Sequence, residues 1–573
     1  MSPDVVARVK ELGLEGVGFE PETWRVYAGK ERAAHVVGFV GRDGHGLEGI
    51  ELAEDDGLSG EGYRLDAERD GRGRALHTSG LDDRPLSPSG KDVVLTLDLG
   101  IQEAAEEELG AAVTRFGARA GTAVVLDPRT GDVLALAVAP TFNPNDLSRG
   151  NADLWRDRAV TDVFEPGSTL KPFTAAAALE LGAVSEGEEI DCHGGAWKLG
   201  DHVIHDHSRH DLISFAEVIR VSSNIGTAQI GLRLGAEALG ASLAGFGFGQ
   251  RTQLGLPGEV RGVLHPPARW KPIQTANVAF GQGLSVTAVQ LASAYATLAN
   301  DGVRMAPRLV LGLREASDGA GRRAALEPRP PVEVARPISA RTAARVTALL
   351  EGVVTAEGTG EAARLPGVRV AGKTGTAQKA RVDGRGYDDE RVVASFAGYV
   401  PADDPRLVIV VAVDEPTGPV TFGGLVAAPV FREIARRALP IVGVPVGASA
   451  PAFPETAVAS ASPADTRVAS AAPRSSTHPL RPVRDASRGI APDGVSGTLG
   501  VAPDLTGLSI RAALRESARL GLPVTVAGRG TCVAQEPPAG APLPVGATIR
   551  AWFAPAGAVA AERDPAAGEA SAT

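Results

Sequence analysis

A serine three residues ahead of a lysine, Ser168 and Lys171 in Glu165-Pro166-Gly167-Ser168-Thr169-Leu170-Lys171, is a spacing with chemical content. Residues 173–182 are rich in helix formers and close on a glycine stop, which places Ser168 at the start of a buried helix. On such a helix residues three apart share a face. A serine hydroxyl is a weak nucleophile at neutral pH until a base takes its proton, and lysine serves as that base only with a lowered pKa. Burial and a second nearby cation both act in that direction. Lys373, in Lys373-Thr374-Gly375, is the candidate for that cation. Pro172 removes one early helical hydrogen bond, which a first turn tolerates. Taken alone, the pair reads more readily as a capping serine and a solvated lysine.

Two further strings change that balance. Residues 215–221 have the pattern of a helix running into the polar Ser222-Ser223-Asn224. Alternation on an extended or turn segment puts Ser222 and Asn224 on one side and turns Ser223 away. That supplies a hydroxyl for proton relay and an amide that both donates and accepts. Capping or turn formation is the plainer reading of any Ser-Ser-Asn. The run from Val368 to Lys379 is strand-like and contains Gly375, and a glycine within a strand marks close approach of another backbone. Lys373 adds positive charge there, and Thr374 and Thr376 add hydroxyls, where a carboxylate can dock.

Ser-x-x-Lys, Ser-x-Asn and Lys-Thr-Gly in this order, about 50 and about 150 residues apart, form a known motif set of penicillin-interacting serine acyltransferases. Each string alone recurs by chance. With the segments 163–174, Ala279-Phe280-Gly281-Gln282-Gly283, 373–378 and 394–401, residues 16 to 440 resemble a class B penicillin-binding protein, a peptidoglycan D,D-transpeptidase. Residues 501–553, from Ala502-Pro503-Asp504 to Gln535-Glu536-Pro537-Pro538-Ala539-Gly540, resemble a PASTA module and point to the cell-division or spore-wall branch. The resemblance implies an α+β fold: a β-lactamase-like transpeptidase domain with helices on an antiparallel sheet, a partial β-rich pedestal before it and a small α/β module after it. It implies Ser168 as the acyl-forming nucleophile, Lys171 as its base, Ser222 as proton relay and Asn224 as holder of the substrate amide. Lys373 and Thr374, beside Gly375, would engage the substrate carboxylate, and the backbone N–H groups of Ser168 and Thr376 would form the oxyanion hole. It implies no metal or organic cofactor. Its partners would be stem peptides ending in D-Ala-D-Ala, β-lactams as inhibitors, and a membrane glycosyltransferase with other division proteins, at the extracytoplasmic face of the bacterial inner membrane.

The 573 residues are enough for three or four domains. A net charge of −11 argues against nucleic acid as a partner. Cys192 and Cys532 are too far apart in sequence to announce a disulfide framework. The organisation expected is a partial pedestal at 1–90, a transpeptidase domain at 91–445, an Ala/Ser/Pro-rich linker at 446–498, a PASTA-like domain at 499–554 and a tail at 555–573. Met1 falls inside the pedestal-like part, and no run of 18 to 20 apolar residues or signal segment is present. A truncated start is therefore expected, since half a pedestal leaves strand faces unpaired.

Within the transpeptidase domain the expected elements are a strand at 93–98, a helix at 101–109 and a hairpin from 121–127 to 133–137. Late strands at 393–400 and 407–413 and a closing helix at 429–438 follow. In the PASTA-like part Ile510, Ala513, Leu514 and Ala518 form one helical face. Cys192, His193, His202, His205, His207 and His210 crowd one segment, but their spacing fits no common zinc pattern, and a polar loop bordering the cleft is the reading preferred. Transpeptidation is favoured over hydrolysis because the water-activating glutamate of class A β-lactamases, four residues before an asparagine, has no counterpart before Asn277 or Asn300. The alternatives are a D,D-carboxypeptidase and a non-catalytic penicillin-binding scaffold.

Overall fold

A strand covered on both faces needs an unbroken apolar run in place of alternation. Ala120–Leu126 (β1) and Val133–Ala139 (β2) have that property, and every residue of both is buried. They form the expected hairpin. The helix before them, Leu99–Arg115 (α1), is capped by Asp98, whose carboxylate accepts from Gly100 N and Ile101 N, and it buries Ile101, Ala104, Ala105, Leu109 and Ala112 at helical spacing. It runs one and a half turns past the expected end at Leu109, because Gly110 is followed by further helix formers and does not stop it. The strand expected at 93–98 is Lys91–Leu95, since Asp98 already serves the helix cap.

The computed structural model describes residues 3–14, 16–19, 24–60, 90–315, 324–381, 386–418, 420–446 and, with short interruptions, 501–554. They fall into two units, Met1–Val442 and Gly443–Thr573. The first is built on a five-stranded antiparallel sheet. After β1 and β2 the chain passes through helices Lys171–Glu180 (α2), Phe215–Arg220 (α3), Asn224–Leu234 (α4) and Ala288–Ala299 (α5). The hairpin Ala196–Leu199 (β3) and His202–His205 (β4) lies between α2 and α3. The chain then returns to the sheet as Ala371–Ala380 (β5), Tyr387–Val400 (β6) and Leu407–Asp414 (β7), closing with helix Gly423–Ala438 (α6). Sheet order is β5-β6-β7-β1-β2, so β5, which carries Lys373-Thr374-Gly375, is an edge strand. Helices α1 and α6 pack on each other and on the sheet, and α5 also packs against it.

Helix α6 starts six residues earlier than expected, with Pro429 inside it. Proline is favoured at a first helical turn, which invited the later start. Two glycines set the true one. A Cβ on Gly423 would lie 2.1 Å from Gly375 O and 2.4 Å from Ser395 O, and one on Gly424 would lie 2.4 Å from Thr359 O. The helix N-terminus is thereby pressed against the strand that carries the third motif.

Among the described residues from 3 to 60, the expected β-rich pedestal shows one short ladder of Phe39–Val40 with Gly46–Glu48 and four short helices. Phe39 packs edge-on against Phe142 and Trp155, which ties this region to the segment leading to Ser168. Residues 61–89 lie outside the described residues, as do nearly all of the expected linker and the tail.

In the second unit, Val524–Gly528 (β8), Thr531–Glu536 (β9) and Ile549–Ala554 (β10) form a sheet in the order β8-β10-β9. Ala502, Leu505, Ala513, Ile549, Ala551 and Phe553 share its core, with Ile510 packed against them. Leu514 and Ala518 of the expected helical face lie outside the described residues. Among the described residues no helix is long and apolar enough to cross a membrane.

Candidate active site

Ser168 sits in a single 3-10 turn, Gly167–Leu170, that runs directly into α2. The turn is held from several sides. Gly167 has φ +53° and donates its N–H to Gly281 O at 3.0 Å. A Cβ on Gly281 would come within 1.9 Å of Gly167 O, so the chain needs glycine there. Thr169 Oγ1 donates to Pro166 O at 2.7 Å, and Tyr295 of α5 donates to Thr169 O at 2.9 Å. Phe173, one turn further on, is packed edge-on by Phe246, Phe248 and Tyr295. Ser168 stays partly exposed while Gly167, Thr169, Leu170 and Lys171 are all buried.

Lys171 lies three residues along the same face. It is completely buried, and its Nζ donates to Ser222 O at 2.5 Å, Asn224 Oδ1 at 2.8 Å and Ser222 Oγ at 3.2 Å. Burial lowers its pKa to about 7, against the opposing charge of Asp206 and a smaller opposing effect of Cys192. An amine whose pKa lies near neutrality can both accept and release a proton there, as a general base must. Ser222 and Asn224 converge on Lys171 as the alternation reading requires, but from a tight turn between α3 and α4 in which Ser222 has φ +64°. Asn224 opens α4, with its Oδ1 on Lys171 and its Nδ2 donating to His205 O at 3.0 Å.

Lys373 on β5 is also completely buried, with Nζ 3.4 Å from both Thr374 O and Thr374 Oγ1. Burial first, and then the charge of Lys171, hold its pKa well below the ordinary lysine value. The sequence reading made Lys373 the cation that depresses Lys171. Burial is the first cause of the lowered pKa of both lysines, and their two charges in view of each other disfavour double protonation.

Thr374 shares a 2.7 Å hydroxyl–hydroxyl hydrogen bond with Thr359. A Cβ on Gly375 would sit 2.4 Å from Ser395 Oγ and 2.9 Å from Thr169 Cγ2, which is the close approach anticipated for a strand glycine. Thr376 is exposed, and its Oγ1 accepts from Gly423 N at 2.9 Å, so its side chain anchors the start of α6.

Three residues around the site were not singled out for it in the sequence. Glu165 Oε1 accepts from Gly283 N at 3.0 Å and from Tyr387 OH at 3.2 Å, joining the Ser168 turn to the 281–283 loop and to β6. Thr359 orients Thr374. Asp206 lies beneath the Ser222–Asn224 turn and had been absorbed into the histidine-rich run. Periodicity gives no signal for any of them, because each acts across a long sequence separation. That run is not simply the expected polar loop, since His202 and His205 are the ends of β4 in a hairpin with β3; His193 stacks on Trp197, and His207 meets Phe422 edge-on beside the start of α6. Cys192 is buried with its Sγ 3.3 Å from Ser223 Oγ. Among the described residues no three His, Cys, Asp or Glu side chains converge as metal ligands.

Residues 121–436 match the penicillin binding protein transpeptidase domain, and residues 500–555 match the PASTA domain. The chain is 38% identical over 463 residues to a probable peptidoglycan D,D-transpeptidase PenA of Neisseria meningitidis, covering 81% of this chain and 75% of the relative. It is 34% identical to the peptidoglycan D,D-transpeptidase FtsI of Escherichia coli, over 76% of this chain and 70% of that one. The stage V sporulation protein D of Bacillus subtilis is 36% identical, over 78% and 68%. Among solved structures, penicillin binding protein 3 of Mycobacterium tuberculosis in complex with aztreonam superposes with a TM-score of 0.63 at 37% identity, covering 74% of this chain and 92% of that one. A fold built around a buried lysine beside Ser168, matched over more than half the chain, makes this protein a member of the penicillin-binding protein transpeptidase family.

Proposed function

We infer that the chain is a serine-type peptidoglycan D,D-transpeptidase acting through an acyl-enzyme on Ser168. The observation that carries this reading is Lys171: a fully buried amine, three residues along from Ser168 and held on three oxygens of the Ser222–Asn224 turn. In the acylation step Lys171 takes the Ser168 proton as Oγ attacks the carbonyl of the penultimate D-alanine. The carbonyl electrons move to oxygen, which the N–H groups of Ser168 and Thr376 receive. Collapse of this tetrahedral species breaks the C–N bond, and the proton passes from Lys171 through Ser222 to the departing D-alanine amine. The ester on Ser168 is then attacked by the side-chain amine of a neighbouring stem peptide, which loses a proton along the same route and releases Ser168. Asn224 holds the donor amide, and Lys373 and Thr374, on the strand continued by Gly375, bind the terminal carboxylate. A β-lactam carbonyl follows the first step and leaves a slowly hydrolysed ester.

The PASTA match and the FtsI and sporulation relatives support a place in septal or spore-wall synthesis, with a membrane glycosyltransferase and division proteins as partners on the extracytoplasmic face. The test is labelling with fluorescent penicillin and mapping of the modified peptide. One modified residue, Ser168, is expected, with no label on Ser168→Ala; label that persists in this variant removes the assignment. Formation of cross-linked product from a stem-peptide donor and an amine acceptor then separates transpeptidation from acylation alone.

A further inference from the structure

Asp206 follows β4, is partly buried, and is engaged by both of its oxygens. Oδ1 accepts from Asn224 N at 2.6 Å and from Ile225 N at 2.9 Å, the first amides of α4. Oδ2 accepts from Ser223 Oγ at 2.6 Å, and that hydroxyl itself accepts from Gly226 N at 2.9 Å. A carboxylate at the positive end of a helix, with short hydrogen bonds to its free amides, is a strong fixing point. What it fixes is the turn containing Ser222, whose φ of +64° is a conformation a residue with a Cβ adopts only under outside constraint. Ser222 O and Asn224 Oδ1, both presented by this turn, are two of the three acceptors on Lys171 Nζ. Ser223, between them, points away from the site and serves the clamp.

We propose that Asp206 is a positioning residue of the acylation machinery, clamping the Ser222–Asn224 turn against Lys171 while placing its negative charge in view of the Lys171 ammonium. This rests on the reading of Lys171 as the base for Ser168. The groups facing Lys171 are Asp206, Cys192 and, from β5, Lys373. Burial drives Lys171 toward the neutral amine, and the charge of Asp206 is the largest influence in the other direction. Burial first, and then the charge of Asp206, raise the pKa of the Cys192 thiol. The consequence is chemical. A base stripped of its proton affinity by burial alone would accept the Ser168 proton poorly, and one fully exposed would never be free to accept it. Burial opposed by Asp206 leaves Lys171 able to take the proton and to return it.

The sign follows directly. Removing the anion lowers the Lys171 pKa further, so the acidic limb of acylation, which requires neutral Lys171, moves to lower pH. The experiment measures the second-order rate of penicillin acylation from pH 5 to 9 for wild type, Asp206→Asn, Asp206→Ser and Asp206→Glu, with thermal melts of each. Expected is an acid limb displaced downward by about one pH unit in the neutral variants, a lower plateau, and a limb restored toward wild type in Asp206→Glu. A fall in plateau with an unmoved limb shows a structural cap only and overturns the proposal, as does loss of native melting in both neutral variants. If wild type carries no label on Ser168, the functional reading fails instead, and the two failures are thereby distinct.

Discussion

The two lysines of the site are both fully buried, yet the regions that hold them differ in kind. The helical pocket around α2 and α4 gives Lys171 three protein oxygens, two of them within 2.8 Å, and a carboxylate in view. Among the described residues the strand side gives Lys373 two hydrogen bonds at 3.4 Å, both to its own neighbour Thr374. A buried ammonium without close partners is costly, whereas one with several well-placed acceptors is tolerable in either protonation state. Burial alone therefore assigns neither role. On the proposed function the partner set separates them: Lys171 would exchange a proton, and Lys373 would gain its counter-charge from a bound carboxylate.

The largest effect that tests this contrast is Lys171→Ala. Acylation should fall by roughly 10² to 10⁴-fold, the usual span of general-base assistance, with the circular-dichroism spectrum retained. The loss should be nearly the same for a penicillin and for an analogue whose carboxylate is masked, because a base serves both. A loss confined to the carboxylate-bearing compound would exchange the roles of the two lysines.

How much of this was readable beforehand divides along the same line. Motifs whose members lie within a few residues, Ser168 with Lys171 and Ser222 with Asn224, carry their geometry in local periodicity, and the β1–β2 hairpin was legible from its apolar runs. Long-range partners were not. Asp206 stands 16 residues before Ser222 among histidines that drew the eye toward metal chemistry, and nothing local says that its carboxylate caps α4. The early start of α6 was hidden because Gly423 and Gly424 look like a stop, and only the backbone of Gly375 and Thr359 pressed against them explains why glycine is needed there. The different contact lengths of the two lysines were also beyond reach, since they depend on tertiary packing and not on residue type.

Lys373→Ala comes next in size. A hydrogen bond to a charged group is worth about 1.5 to 3 kcal/mol, so acylation by a carboxylate-bearing penicillin should slow on the order of 10- to 100-fold. The pH dependence sharpens the comparison. Two buried lysines in view of each other disfavour double protonation, so each charge lowers the proton affinity of the other. The second-order rate reports the free protein, and its acid limb should move upward when Lys373 is removed, because Lys171 then keeps its proton to higher pH. An unmoved limb would mean that burial, and not repulsion, holds Lys171 low.

The smallest effect belongs to Thr374→Val, and it isolates docking from proton transfer. Thr374 is nearly buried on β5, valine suits a strand and keeps the volume, and the fold should be unaffected. What is lost is one hydroxyl, oriented by Thr359 at 2.7 Å and 3.4 Å from Lys373 Nζ. Thr359 is exposed, so water can take up its freed hydrogen bond at little cost to stability. A single hydrogen bond to a bound carboxylate contributes about 1 to 2 kcal/mol, so acylation by an unmasked penicillin should slow roughly 5- to 30-fold. The masked analogue should slow much less, and the acid limb should match wild type for both, since Thr374 carries no charge toward Lys171. Equal slowing of the two compounds would place Thr374 in the chemistry of the reacting carbonyl and dissolve the separation between a proton-transfer pocket on the helices and a carboxylate pocket on the strand.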